Sequence, residues 1–374
     1  MALSKIDVAN MVENQMPQAN LADNINFRNI IINGDMSIAQ RGTSTTGITA
    51  SSPTAQYPTV DRMQFQYDDA GTWTVTQDNT VPTGQGFAKS FKLDCTTAKG
   101  TLDADSFLTY AQQIEGQNLQ YLKKGTSSAE SLTLSFWVRS NKTGTYIVSI
   151  YDHDNSRTIS KSYTINSAST WEKKTITYDG DTTGTLDNDN ASSFEINFWL
   201  AAGTNFTSGT LQTSWGTNTA ANRAVGQVNL ADSTSNEWYI TGVQLEAGTT
   251  ASDFEFLPHD VNLNRCLRYF QGINGAINMH QTSNASAAIV HFSLQQNMRA
   301  TPTMAIANQT ANIGVFGGNN DAINPSISGA KSTSTYGSCE YTHGQNFHSD
   351  SAGESQILIY NDFGTTFFTM DAEL

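Results

Sequence analysis

Cysteine is almost missing from this chain: Cys95, Cys266 and Cys339 are the only three, odd in number and far apart. That spacing supports neither a disulfide framework nor a paired-ligand zinc site. Charge is scarce too. Charged residues make up 14% of the chain, against about a quarter in ordinary globular domains. The basic side is the poorer one, with 20 Lys+Arg against 34 Asp+Glu and a net charge of −14. Such a field repels nucleic acid and anionic lipid, so neither is an expected partner. No apolar run approaches the ~20 residues that span a bilayer, and membrane insertion is not expected. The N-terminus lacks the charged-then-apolar order of a signal peptide, so synthesis in a cytoplasm is expected. The six histidines match no metal-ligand spacing. A Gly-x-Ser-x-Gly elbow and a phosphate-cradling glycine loop are both missing.

Ser, Thr, Asn and Gly take the place of charge. At 374 residues the chain has room for two or three domains, each able to bury a core. A neutral surface of hydroxyls and amides suits extended β structure exposed on a particle. Residues 1–26 read as a short helix and linker. Ser4 and Asp7 resemble a capping box, Val8, Met11, Val12 and Met16 recur at helical spacing, and Pro17 ends the run. So short a helix is marginal alone. It therefore needs a partner surface, either a docking protein or its own packed arm.

From 27 to 257 the signals are strands and turns. "SLTLSFWVRS" alternates, with Leu132, Leu134, Phe136 and Val138 on one face and Thr133, Ser135 and Trp137 on the other. "FEINFWL" repeats the pattern, and "GTYIVSIYDHDN" with "KSYTIN" reads as a hairpin. "EWYITGVQLEAG" carries Gly242 where a bulge would bend it. Together they predict an all-β, antiparallel jelly-roll sandwich. "PHDVNLNRCLRYFQ", 258–271, predicts one linking helix, with Leu263, Leu267 and Phe270 at helical spacing, Pro258 near its start and Gly272 as its stop. Strands return in 272–374 as a second, smaller β domain. No fixed period repeats, which argues against a β-helix or solenoid.

"INGDMSIAQRGTS", "VDRMQF", "QQIEGQNLQYLKKG", "LTLSFWVRS", "WYITGVQLEAG" and "RCLRYF", in that order, resemble the recurring segments of a module of bacteriophage tail fibres and other virion structural proteins, frequent in marine and cyanobacterial phages. The resemblance covers roughly 27–305. It implies a carbohydrate-binding-module-like jelly roll on a trimeric, host-facing appendage, with attachment to host surface glycan as its role and no catalytic residues to carry over. It also implies that "NIIINGDM" lies beside "WYITGVQLEAG" and closes the sheet. In sugar-binding modules of this build that strand pair often holds a structural calcium. Asp35 and Glu246 are the donors position proposes here, two of the about six to eight oxygens calcium takes.

Two tryptophans are candidate sugar platforms. Trp137 and Trp199 stand on the polar-alternating sides of their strands, with Asn197, Glu195 and Arg139 nearby to supply hydrogen bonds. The same rings also suit cover by a long loop or by a sister subunit. Tyr341, in the "KSTSTYGSCEYTHGQNFHSD" stretch with Tyr336, His343 and Phe347, is a further receptor-contact candidate. The pairs Asp68/Asp69, Asp103/Asp105, Asp152/Asp154 and Asp187/Asp189 lie in turn-like contexts where Asp caps its own backbone, so catalytic acid pairs are not expected. The expectation is a non-enzymatic virion component without a required cofactor, trimeric, with partners in the tail or capsid reached through the N-terminus. The alternatives are a capsid-decoration or tail-connector protein and, further off, a polysaccharide depolymerase.

Overall fold

The computed structural model describes residues 27–274, 278–281, 287–306, 312–315, 321–322, 326–332, 336–342, 357–360 and 366–374. The expected N-terminal helix lies outside these residues. The chain divides into two compact units.

The first unit comprises 27–37, 44–56 and 63–257 among the described residues. Its strands are β1 (Ser44–Ile48), β2 (Thr54–Gln56), β3 (Gln64–Asp68), β4 (Thr72–Asp78), β5 (Ser90–Thr97), β6 (Phe107–Glu115), β7 (Leu132–Ser140), β8 (Gly144–Asp152), β9 (Arg157–Ile165), β10 (Glu172–Tyr178), β11 (Ser192–Ala202), β12 (Gly216–Thr217) and β13 (Glu237–Ala247). They form two antiparallel sheets, β1-β4-β5-β13-β7-β10 and β12-β9-β8-β11-β6-β3-β2. The jelly-roll sandwich expected from the alternation is present. Its core is the set of inward positions the sequence marks as apolar, with rings meeting across the sheets. Phe91 of β5 lies 4.5 Å from Tyr110 of β6, and Phe136 of β7 lies 5.1 Å from Phe198 of β11. Trp73, Phe65 and Trp238 are sealed from solvent beside them. Each such side chain contributes about 1.5–3 kcal/mol on burial.

Gly242 has φ +62°, and the β13–β7 register slips between Thr241 and Gln244. The bulge predicted from the glycine is therefore there. Beyond it β13 leaves β5 and takes a new neighbour: Ile30 N donates to Leu245 O at 2.8 Å, and Val243 N donates to Gly34 O at 2.9 Å. "NIIING" thus lies beside "WYITGVQLEAG" as expected, but not as a regular strand. The N–H of Ile31 goes to Asn29 Oδ1 and that of Ile32 to Gln112 Oε1. Side-chain amides satisfy the backbone where a ladder would otherwise run.

The second unit is not simply the C-terminal part. It takes in 38–43 and 57–62 as well as 258–374, which a division at a linking helix does not foresee. The helix α2, His259–Leu267, follows a short turn, α1, Thr204–Thr207, of the first unit. It belongs to the second unit and ends earlier than expected. Phe270 and Gly272, read as its last apolar contact and its stop, are instead in the strand Phe270–Asn274, because this stretch pairs with Thr366–Asp371. Thr303–Ile306 completes that three-stranded sheet. A seven-stranded sheet runs Asp321–Ala322, Asn312–Val315, Ile357–Tyr360, Asn278–Gln281, Ala287–Ser293, Tyr336–Thr342, Ser326–Ser332.

The two N-terminal pieces are tied in by charge and stacking. The Arg41 guanidinium sits 3.7 Å over the Phe270 ring and 3.0 Å from Asp371 Oδ2. Arg62, fully buried, stacks 3.5 Å over Tyr269 and pairs with Glu373. Gln40 N donates to Asp61 Oδ1 at 2.9 Å, and burial pushes the Asp61 carboxyl up to about 6. These contacts account for "AQRG", "VDR" and "LRYF" occurring as separate short motifs: they meet in one unit.

Candidate functional site

β11 is buried along nine consecutive positions. Its inward residues Phe194, Ile196, Phe198 and Leu200 belong to the core. Its outward residues Glu195, Asn197 and Trp199 meet a second set of neighbours on the outer face of the second sheet. Register sets Glu195 opposite Tyr151 and Gln113, and Asn197 opposite Ser149 and Ala111. β3 brings Gln64 and Gln66 level with Ala111 and Thr109. Strict alternation thus gathers amides, hydroxyls, a carboxylate and an aromatic ring on one face.

These groups are already joined. His153 Nε2 lies 2.8 Å from Glu195 Oε2, and Gln66 Nε2 donates to Glu195 Oε1 at 2.6 Å. Gln66 also donates to Gln64, and Thr109 Oγ1 donates to Gln66 Oε1 at 3.2 Å. Burial alone would raise the Glu195 carboxyl. The hydrogen bond and charge of His153, then Gln66 and the Arg223 charge, outweigh it and hold the group below its ordinary value. Tyr151 meets the His153 ring edge-on at 4.6 Å. Tyr151, His153, Gln66 and Gln113 are half-exposed while Glu195 lies beneath them.

One wall of this face is the segment 203–224. Phe206 of α1 packs 5.3 Å from Trp199, Leu211 adds to the same cluster, and Arg223 lies 5.0 Å over Trp199 and 5.5 Å over Tyr151. Two donors here have no hydrogen-bond partner among the described residues, Asn197 Nδ2 and Arg223 Nε. A buried unsatisfied donor costs about 1–3 kcal/mol.

The residues singled out in the sequence divide between two faces. Trp199 is 2% exposed, its indole N–H donating to Ser149 Oγ at 3.0 Å, and Asn197 is 1% exposed. The half-exposed stacking platform expected at Trp199 is corrected: Phe206, Leu211 and Arg223 cover the ring. Trp137 and Arg139 are half-exposed on the outer face of the other sheet. There Arg139 lies 4.7 Å over Tyr239 and pairs with Glu237 at 3.1 Å. They do not join Trp199 and Asn197 in one site. Tyr341 sits in the strand Tyr336–Thr342, and its side chain, like Tyr336, His343 and Phe347, lies outside the described residues.

Asp35 and Glu246 are not brought together as a calcium pair. The antiparallel run that sets Ile30 against Leu245 and Gly34 against Val243 sends them to opposite ends. Glu246 accepts from Ser252 N at 2.9 Å, Ser252 Oγ at 2.7 Å and Gln244 Nε2 at 3.0 Å, with Arg28 3.6 Å away. Asp35 Oδ1 accepts from Ser37 Oγ. The donor chemistry at Glu246 is that of a carboxylate already neutralised, and these residues do not fit the ion. Among the described residues no group of three His, Cys, Asp or Glu is arranged to hold a metal. Two of the aspartate pairs cap turns, with Asp152 Oδ1 accepting from Asn155 N and Asp189 Oδ1 from Ala191 N, while Asp69 and Asp103, from the other two, both pair with Lys99.

Sequence reasoning missed Tyr151, Gln64, Gln66, Gln113 and Arg223, and gave His153, like the other histidines, no ligand role. The available signal was in β8, where Tyr151 alternates with the core residues Val148 and Ile150 and so shares a face with Ser149.

No protein-family model matches the sequence, and no curated protein matches it. Solved structures with which the chain shares similarity include the enzymatically active domain of tailspike protein 4 of bacteriophage CBA120, at 17% identity and TM-score 0.30. That match covers 59% of this chain and 21% of the tailspike chain. The family 11 carbohydrate-binding module of Clostridium thermocellum, solved with a β-1,3-1,4-mixed-linked tetrasaccharide, matches at 14% identity and TM-score 0.29, over 53% of this chain and 96% of that one. TmCBM61, solved with β-1,4-galactotriose, matches at 10% and 0.28, over 59% and 99%. At such TM-scores these likenesses carry no weight for function.

Proposed function

We propose that the chain is a non-enzymatic, glycan-binding component of a bacteriophage virion: a tail fibre or fibre-like receptor-binding protein, homotrimeric, anchored to other tail or capsid proteins through its N-terminus. The observation that carries the glycan part is the outer face of the second sheet. There the half-exposed Tyr151 ring stands beside Glu195, His153, Gln66 and Gln113. A sugar presents C–H faces and a rim of hydroxyls. The tyrosine suits the first, and carboxylate and amide groups suit the second. Because Glu195 and Gln66 are held in one network before any ligand arrives, little ordering remains for binding to supply. The virion part is supported by the ordered segments that resemble the tail-fibre module. Three weak sites on one appendage would raise apparent affinity by about 10²–10⁴ through tethering.

The test is a glycan array probed with purified protein, followed by competition of phage adsorption to host cells. Retention of a defined glycan, weakened about tenfold by Tyr151→Ala, and blocked adsorption are expected. Absence of any retained glycan overturns the binding reading. Release of reducing sugar overturns the non-enzymatic one.

A further inference from the structure

Arg223 is the odd member of the site. Eleven of the sixteen ion pairs among the described residues hold a lysine or arginine to a carboxylate at 3.2 Å or less, yet Arg223 is in none. Its nearest acid, Glu195, is engaged by His153 and Gln66 instead. The guanidinium is held by rings, between Trp199 at 5.0 Å and Tyr151 at 5.5 Å, and its Nε is a buried donor without an acceptor. Its backbone is fixed on both sides: Arg223 N donates to Ala220 O at 3.1 Å, and Arg223 O accepts from Ser160 Oγ at 2.9 Å. Trp199 and Tyr151 stand on adjacent strands, on either side of the Asn197–Ser149 pair. Arg223 therefore spans the level of Asn197, which is 1% exposed and whose Nδ2 is the second orphan donor. Every glutamine around them has a hydrogen-bond partner.

A half-exposed guanidinium held by rings and in no ion pair asks for a ligand group that brings acceptors and negative charge. A sugar hydroxyl supplies an acceptor but leaves Arg223 only the charge of Glu195, which is itself bonded to His153 and Gln66. A carboxylate supplies two coplanar oxygens, the partner that a guanidinium fork matches best. We propose that the glycan taken by this face is acidic, carrying a uronic-acid unit whose carboxylate is received by the half-exposed Arg223 guanidinium. The inference rests on the glycan-binding reading and narrows it. It also accounts for a cation being kept in a site of a chain with net charge −14, which otherwise repels acidic polymers.

The experiment uses the full-length protein and an array in which each uronate oligosaccharide is paired with its carboxyl-reduced counterpart. Affinities of the positive pairs are then measured by calorimetry at two salt concentrations. At least tenfold preference for the acid form is expected, as for one charge-assisted pair, shrinking at higher salt. Arg223→Gln should bring the acid-to-reduced ratio close to one. Arg223→Lys, which keeps charge but loses the fork, should give an intermediate ratio. Circular dichroism of both variants separates misfolding from lost recognition, and the lysine variant carries the test if the glutamine variant is unfolded. Equal affinity for acid and reduced forms, or preference for sulfated neutral sugars over uronates, overturns the carboxylate assignment and leaves glycan binding standing. An acid preference that survives Arg223→Gln overturns Arg223 as its source. Failure to bind any glycan, acid or neutral, overturns the underlying reading as well.

Discussion

The Lys124 ammonium lies 2.6 Å from Asp152 Oδ2 in a buried site, both side chains being 3% exposed or less. Asp181 Oδ2 is 3.2 Å away, and the carbonyl oxygens of Thr183 and Gly184 accept at 2.9 and 2.8 Å. Arg157 forks onto Asp181 from the other side, at 2.8 and 3.0 Å. Four oxygens around one ammonium pin the 181–184 loop to the end of β8. Removing one partner of a buried pair strands the other, at about 3–5 kcal/mol. Lys124→Met should therefore lower the stability measured by urea unfolding by that amount, and Lys124→Met with Asp152→Asn should recover part of it. Lys123→Met, which breaks only the exposed pair with Glu130, should cost under about 1 kcal/mol.

Trp199 and Tyr151 should separate stability from binding. Trp199 is packed under Phe206 and Leu211, so Trp199→Ala opens a cavity and should cost about 3–5 kcal/mol in unfolding. Tyr151 is half-exposed. Tyr151→Ala should change the unfolding midpoint little and show its effect in glycan titrations. The reverse pattern would remove Tyr151 from the site.

Glu195 makes the site sensitive to acid. Its carboxyl is held below the ordinary 4.5 by the contacts that outweigh its burial, chiefly His153. A depressed folded value contributes stability that is fully present above the unfolded value and is lost as pH falls through the folded one. Stability should therefore decline below pH 4.5, more steeply in the wild type than in Glu195→Gln, as measured by urea midpoints from pH 6 to 3. Equal slopes would show that the Glu195 network contributes nothing.

Gly34 tests the unusual seam beside β13. A Cβ there would be driven into the Val243 carbonyl oxygen, which is backbone and has nowhere to go. Gly34→Ala should thus cost about 2–4 kcal/mol, in the range of core overpacking or backbone strain. Gly100 has open space around its Cβ position and no left-handed φ. Gly100→Ala should be neutral or stabilising by about 0.5 kcal/mol.

Much of the sandwich was legible because period-two alternation and glycine placement are local. β7, β11, the β8–β9 hairpin and the Gly242 bulge all lie where those signals put them. The end of α2 was misread because Phe270 fits helical spacing as well as strand pairing, and only Asp371, a hundred residues on, decides between them. The candidate site was half legible. Glu195, Asn197 and Trp199 were grouped on the right strand face, but Trp137 and Arg139 were joined to them although they lie on the other sheet.

By itself, the order of residues determined that this chain is built from antiparallel strands, which side of each strand is apolar, and where the main bulge falls. Each of those follows from steric preference and spacing within a few residues. Only the tertiary structure decided that the polar side of β11 is buried as well. The 203–224 segment that covers it has no periodicity pointing to Trp199, and the glutamines that complete the face arrive from β3 and β6, more than eighty residues away. A strand's alternation tells its two sides apart, but what lies against each side depends on chain closure over distances that no local pattern records.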